Sequence, residues 1–498
     1  MEFASVVFLL IFLPVVLVVY YLLGFIKNEK TSATARNVFL LVSSLLFYAF
    51  GGIKELLLFV GMILVNFFAG ILMDYLETDG KTKARKGVFL GALLLNIAIL
   101  VFFKYTNMVV KMIEIFRAGN VWQGLMKFEG TGALNFKTIA MPLAISFIVF
   151  QSISYVVDVY KKKTEASRNI LTFALYMTLL CQVTQGPIMR YGNLGKQIEG
   201  REHSAELFVA GIKRFVYGLG KKVLIANVVA ETVDKIFNST GTYMKVDNMG
   251  APIAWLGALL YTIQIYYDFS GYTDMAVGVG KMLGFTIDEN FNYPYTSLSV
   301  QEFWRRWHIT LSTWFKDYIY IPLGGSRCSK ARACFNVGVV FLTTGIWHGA
   351  NLTFIVWGLI FVVMSIIERL FLGDWLKKNP IKPVNWLYTI LVVVLGWVFF
   401  RADNLDFAFR FIGQMFSFKA SPVGYSVVTY LSTEVLLAML FGIVFCGALQ
   451  RPLGGFYENN KNSMWFRIVD VVFQLIILGF CIIRIVGGSY APSIYANF

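Results

Sequence analysis

The sequence predicts an all-α polytopic membrane protein, and three observations carry that prediction. Of the 498 residues, 57% are hydrophobic and 15% charged, with a mean hydropathy of +0.65, far from the balance of an ordinary soluble enzyme. Several apolar runs approach the ~20 residues a helix needs to cross the hydrocarbon layer. The basic residues gather in short clusters between those runs, as the positive-inside rule and anionic lipid demand.

In chain order, the candidate spans are 3–26, 37–50, 54–76, 87–105, 139–160, 170–186, 207–232, 249–268, 335–347, 352–372, 385–400, 431–448 and 468–486. The first follows Glu2 instead of a basic stretch and holds no small-residue cleavage site, so it reads as a retained span without a signal peptide. Lys27, Lys30 and Arg36 follow that span, and Lys81, Lys83, Arg85 and Lys86 follow the third. Lys161 to Lys163 with Arg168 follow the fifth, while the 106–138 loop is only weakly basic. This alternation places the N-terminus outside. The 170–186 segment breaks the alternation, because Arg190, Lys196, Arg201, Lys213 and Arg214 make its far flank as basic as its near one. A short segment ending in Gly186-Pro187 with like charge on both sides reads as a re-entrant hairpin, with Gln182 and Gln185 facing protein or a water-filled cavity. No repeat or soluble insertion interrupts the pattern, so 1–498 reads as a single membrane domain.

The net charge of +15 does not indicate nucleic acid, since its residues sit where lipid headgroups account for them; membrane lipids are the expected partners. Cys181, Cys328, Cys334, Cys446 and Cys481 show no CxxC spacing and read as small hydrophobes.

Two stretches carry chemistry. In "WRRWHITLSTWFKDYIYIPLGG" (304–325), helical spacing puts Phe303, Trp304, Trp307, Leu311, Trp314, Phe315 and Tyr318 on one face. Arg306, Thr313 and Asp317 fall opposite, and Pro322 with Gly324 and Gly325 stops the helix. This reads as an interfacial amphipathic helix over 302–318. A helix resting in the headgroup layer explains the tryptophans and Arg306, but not His308, which sits at the stripe's border beside Arg305 and Ser312. The second stretch, "TGIWHGANLTFIVWG" (344–358), sets His348 between two apolar segments, with Trp347 before it and Asn351 three residues on. An ionisable group at membrane depth is costly and normally faces a cavity where it acts, although a core histidine bonded to a carbonyl fits the same pattern. Imidazole titrates near neutrality, so such a pair suits a general base and an auxiliary for attack of a hydroxyl on an acyl carbon. No G-x-S-x-G elbow supports a hydrolase, and no ligand spacing supports a metal.

The chain resembles the membrane-bound O-acyltransferases, in particular the bacterial branch of alginate O-acetylases and related envelope polysaccharide acetyltransferases. The resemblance rests on "PLAISFIVFQSISYVVDVY" (142–160), "QGPIMRY" (185–191), "YYDFSGYTDMAVGVGKMLGF" (266–285), "NFNYPY" (290–295), "EFWRRWHITLSTWFKDYIYIPLGG" (302–325), "TGIWHGANLTFIVWG" (344–358) and "GWVFFRADNLDFAF" (396–409). It implies a bundle of roughly 11 transmembrane helices with re-entrant segments around a central tunnel. It further implies that His348 is the catalytic histidine and His308 the second one. Where the family often has Ala before Gly-Pro, this chain has Gln185.

By the same resemblance, an acyl group, acetyl by the nearer match, passes from a cytoplasmic thioester such as acetyl-CoA across the bacterial cytoplasmic membrane. An extracytoplasmic acetyltransferase partner then completes O-acetylation of an envelope polysaccharide. No permanently bound cofactor is implied. Trp347, Asn351, Arg305, Ser312, Gln182, Gln185 and Asp268 are the expected lining of the tunnel, and Arg305, Arg306, Lys316 and Arg327 face either CoA phosphates or lipid headgroups at its cytoplasmic mouth. D-alanyl transfer to teichoic acid and a non-enzymatic precursor transporter, using Gln182, Asp158, Asp268 and Asp274 as a polar path, remain alternatives.

Overall fold

A computed structural model describes residues 2–130, 138–238, 245–417, 426–447, 449–488 and 494, and every regular element among them is helical. Parts of the 106–138 loop and the last residue of the 431–448 candidate lie outside the described residues. Among the described residues, seven helices are long and apolar enough to cross a bilayer: Phe8–Phe25, Glu29–Ala49, Ile53–Thr78, Thr82–Ala118, Leu352–Lys378, Lys382–Arg401 and Met464–Val486. Ile145–Tyr160 and Thr433–Phe445 are apolar but shorter. The chain is a multi-pass membrane protein.

Two predicted spans became core instead of lipid-facing helices. The 207–232 candidate lies in Ala205–Gly220, which runs through a π turn, Lys221–Ala226, into Asn227–Ile236. The 249–268 candidate is the first half of Ala251–Met282, a 32-residue helix buried along nearly its whole length. Both carry charges that lipid would not tolerate and that protein partners satisfy: Asp274 pairs with Arg214 at 2.7 Å and with Lys221 at 2.7 Å, and Asp268 pairs with Lys222. By contrast, the Thr82–Ala118 and Met464–Val486 helices each have only 11% of an 18-residue apolar stretch buried, and apolar side chains such as Leu94, Phe102, Val469 and Leu475 are exposed on them. In water such faces would be an aggregation surface; in a bilayer they meet their solvent.

A glycine seam joins the two core helices. A β-carbon on Gly218 would stand 2.6 Å from the Gly271 carbonyl oxygen, and one on Gly211 would stand 2.7 Å from that of Gly278. Only hydrogen fits at these crossings, so the backbones approach as small-residue membrane helices do. Gly218→Ala is expected to cost roughly 1–3 kcal/mol through overpacking, read as a lower melting temperature in detergent. Gly91→Ala, whose new β-carbon would meet nothing within 4 Å, should leave it unchanged or slightly raised. Equal melting temperatures for the two variants would mean the seam is not what holds the pair.

The 170–186 segment is helical only over Ile170–Thr178. Beyond it the chain runs as buried turns held by side chains: Leu180 N–H donates to Ser44 Oγ at 3.1 Å, Gln182 Nε2 donates to the Tyr176 carbonyl, the Thr184 and Tyr272 hydroxyls meet, and Ile188 N–H donates to Thr310 Oγ1 at 3.1 Å. Irregular backbone survives away from water because protein groups satisfy it.

Candidate active site

His348 ends the Lys330–His348 helix, which Ser329 caps by accepting from Arg332 N–H. Gly349 is extended, and Asn351 starts the next helix, Leu352–Ile367, by accepting from Thr353 N–H at 3.2 Å. The junction therefore fixes His348 at a helix terminus. Its side chain is buried, with Trp347, Trp357 and Phe400 each 5.0 Å away between ring centroids, the last two edge-on at 88° and 77°. Phe354 and Phe400 also line a cavity of about 340 Å³ together with Glu129, Asn351, Arg401, Ala402 and Asp403. The same two phenyl rings thus border both His348 and a polar cleft. Arg401 there pairs with Asp403 at 3.6 Å and with Asp234 at 2.8 Å, and Glu129 accepts from Asn404 Nδ2 at 3.1 Å.

The stretch around His308 is not the continuous helix that its spacing predicts. It consists of Val300–Arg306, a break, Ile309–Phe315 and a π turn, Lys316–Tyr320. At the break Trp307 is extended and His308 is left-handed, with φ 44° and ψ 57°, a conformation that costs a non-glycine residue roughly 1–2 kcal/mol. Asn290 holds it there: its backbone carbonyl accepts from Ile309 N–H at 2.9 Å, and its Oδ1 accepts from Thr310 N–H at 3.1 Å and lies 3.0 Å from His308 Nδ1. Because the Thr310 amide can only donate, the atom it meets is an acceptor. His308 Nδ1 therefore carries the proton, and Nε2 presents its lone pair. Nε2 is buried without a hydrogen-bond partner among the described residues. The aromatic face is also not in the headgroup layer: Phe303, Trp307 and Trp314 are buried against protein.

His308 and Lys104 both lie near enough to bear on the charge of His348. An aromatic wall runs between the two histidines, from Trp307 to Trp397 at 4.9 Å, Trp397 to Phe400 at 5.4 Å and Phe400 to His348. The third histidine, His203, lies in a loop between helices, where burial and then Arg36 and Arg201 push its imidazole down to about 4; it packs against Tyr20 and Tyr21, remote in sequence from this wall.

Of the expected tunnel residues, Trp347 is buried and stacks on Phe150 at 5.2 Å, and Asn351 Nδ2 donates to the Asp403 carbonyl at 2.8 Å. Ser312 braces the break by donating to the Trp307 carbonyl at 3.4 Å. Arg305 is exposed while His308 is buried, and Arg306 pairs with Glu302 at 2.6 Å. Gln182 and Gln185 lie in the buried turns after Thr178. Asp268 is bound in its ion pair with Lys222, and its second oxygen accepts from Ile494 N–H at 2.9 Å.

Asn290 and Lys104 do not stand out as site residues in the sequence alone. Asn290 opens the NFNYPY stretch but sits 18 residues from the histidine it orients. Lys104 stands at the end of an apolar run, where the cost of a charge at depth was the available signal.

Residues 165–409 match the membrane-bound O-acyltransferase family. Over its whole length the chain is 37% identical to the whole of a probable alginate O-acetylase from Pseudomonas putida. It is 34% identical to a peptidoglycan O-acetyltransferase from Helicobacter pylori, across 83% of this chain and 79% of that protein. With a teichoic acid D-alanyltransferase from Bacillus subtilis it shares 30% identity across 52% of this chain and 66% of the relative. Full-length similarity of this order, together with a multi-pass helical body, identifies the chain as an O-acyltransferase that belongs to the membrane-bound O-acyltransferase family.

Proposed function

We propose that the protein takes an acetyl group from acetyl-CoA on the cytoplasmic side of the bacterial cytoplasmic membrane and passes it outward, through a tunnel that reaches His348, for O-acetylation of an envelope polysaccharide. The observation that carries this reading is the position of His348: buried at a helix terminus beside Phe354 and Phe400, which also line a polar cavity. His348 takes the proton of an acceptor hydroxyl as its oxygen attacks the thioester carbon. The tetrahedral intermediate then collapses, the carbon–sulfur bond breaks, and the proton returns to the departing thiolate. Exposed Arg305, Lys316 and Arg327 meet the phosphates of the donor. The final hand-over is assigned to an extracytoplasmic acetyltransferase partner. Acetyl is preferred to D-alanyl because the acetyltransferase relatives align over more of the chain.

The test is purified protein in proteoliposomes given acetyl-labelled CoA on one side and an O-acetylatable glycan with candidate partner proteins on the other. Thioester cleavage coupled to label on the far side supports the proposal. Consumption of a D-alanyl thioester with acetyl-CoA untouched would replace it with the D-alanyl reading, and glycan precursor movement without thioester cleavage would replace it with a transporter.

A further inference from the structure

The helix that ends in His348 has carbonyls with no partner in its own last turn, as every helix does. Two of them are taken by consecutive residues of the Thr82–Ala118 helix. Tyr105 Oη donates to the Ile346 carbonyl at 2.7 Å, and Lys104 Nζ donates to the Trp347 carbonyl. Lys104 is buried, donates also to Ser146 Oγ at 3.1 Å, and lies 5.5 Å from the centre of the Trp347 ring. Its ammonium therefore faces a hydroxyl, a carbonyl and an indole, in place of a carboxylate. One turn on, Asn107 clasps Ile139 through both backbone groups, at 2.8 and 3.0 Å, which holds the approach to the Ile145–Tyr160 helix that carries Ser146.

A charge at this depth costs several kcal/mol that an apolar side chain would not, so packing does not account for it. What an amine does here is hold the Trp347–His348 peptide unit by donating to the Trp347 carbonyl, at the helix end where any positive charge it carries is favoured. Resting on the reading of His348 as the base, we propose that Lys104 and Tyr105 are positioning residues for acyl transfer: a two-residue clamp that fixes the last turn of the His348 helix, and so the imidazole, relative to the bound thioester. Neither residue enters the chemistry. A displacement of about 1 Å in a reacting group can cost ~10²-fold in rate, which is the scale at which the clamp acts.

The test is steady-state kinetics on Lys104→Met, Lys104→Arg and Tyr105→Phe, with His348→Ala in parallel and each preparation normalised for folded protein by its melting curve. Lys104→Met should lower kcat by roughly 30- to 100-fold while the KM for acetyl-CoA stays within about threefold. Tyr105→Phe should lower kcat by about tenfold, and Lys104→Arg, which keeps a cation at the helix end, should recover much of the loss. A Lys104→Met enzyme with a lower melting temperature but unchanged kcat per folded molecule would overturn the proposal, since that is what a merely structural lysine gives. If Lys104→Met does not fold, Tyr105→Phe decides, because it removes one hydroxyl, and wild-type kcat there overturns the clamp. Activity in His348→Ala would remove the base assignment and the clamp with it. An inactive His348→Ala beside a fully active Lys104→Met removes the clamp alone.

Discussion

His348→Ala is expected to lower acetyl transfer by on the order of 10²-fold or more, the usual cost of losing a general base, with the protein still inserted and folded. The separation of the two effects follows from the surroundings. The imidazole is held by edge contacts from Trp357 and Phe400, and those rings have partners of their own in Trp397 and Phe361. Removing the side chain leaves a gap in an aromatic cluster that remains cross-braced. His348→Gln, which fills more of that gap but cannot act as a base near neutral pH, should be as inactive as the alanine variant. Polysaccharide acetylation in a cell lacking the wild-type copy, measured beside membrane abundance, reads both quantities. Near-normal acetylation by either variant at normal abundance would end the assignment.

Asp268→Ala is expected to be the most damaging single change for stability. The Asp268 carboxylate and Lys222 ammonium are 2% and 4% exposed, so removing one leaves the other charged in the interior. Breaking a buried pair in this way typically costs about 3–5 kcal/mol, a large part of the ~5–15 kcal/mol that keeps a domain folded. The double variant Asp268→Leu/Lys222→Met removes both charges at similar volume and should regain most of the loss, because the desolvation cost disappears with the attraction. Melting temperature and monodispersity in detergent measure this. A double variant no better than Asp268→Ala would show that the carboxylate acts through something other than its partner, with the Ile494 amide the next group to examine.

The lipid-facing helices are legible in the sequence because hydropathy reports contact with lipid, and residues such as Leu94 and Phe102 answer to nothing else. The Ala251–Met282 helix is less so, since its neighbours are protein: Asp268 and Asp274 look like defects in a span until Lys222, Arg214 and Lys221 are found beside them. His348 stands out for the cost of an ionisable group at depth. The shape around His308 does not, because the break is imposed by Asn290 from a separate segment, and helical spacing within 302–318 carries no trace of it. The aromatic stripe correctly marks an apolar face, but periodicity cannot say whether lipid or Trp397 will cover it.

The glycine seam has a kinematic consequence. With carbonyl oxygens 2.6–2.7 Å from where side chains would begin, the Ala205–Gly220 and Ala251–Met282 helices mesh in one register, and a slide of one turn would drive the β-carbons of their neighbours into opposing backbone. The pair behaves as a locked keel. Rigid halves that rock past one another need an interface able to slip, and this helix pair cannot supply one, so any such motion must take place at interfaces other than this seam.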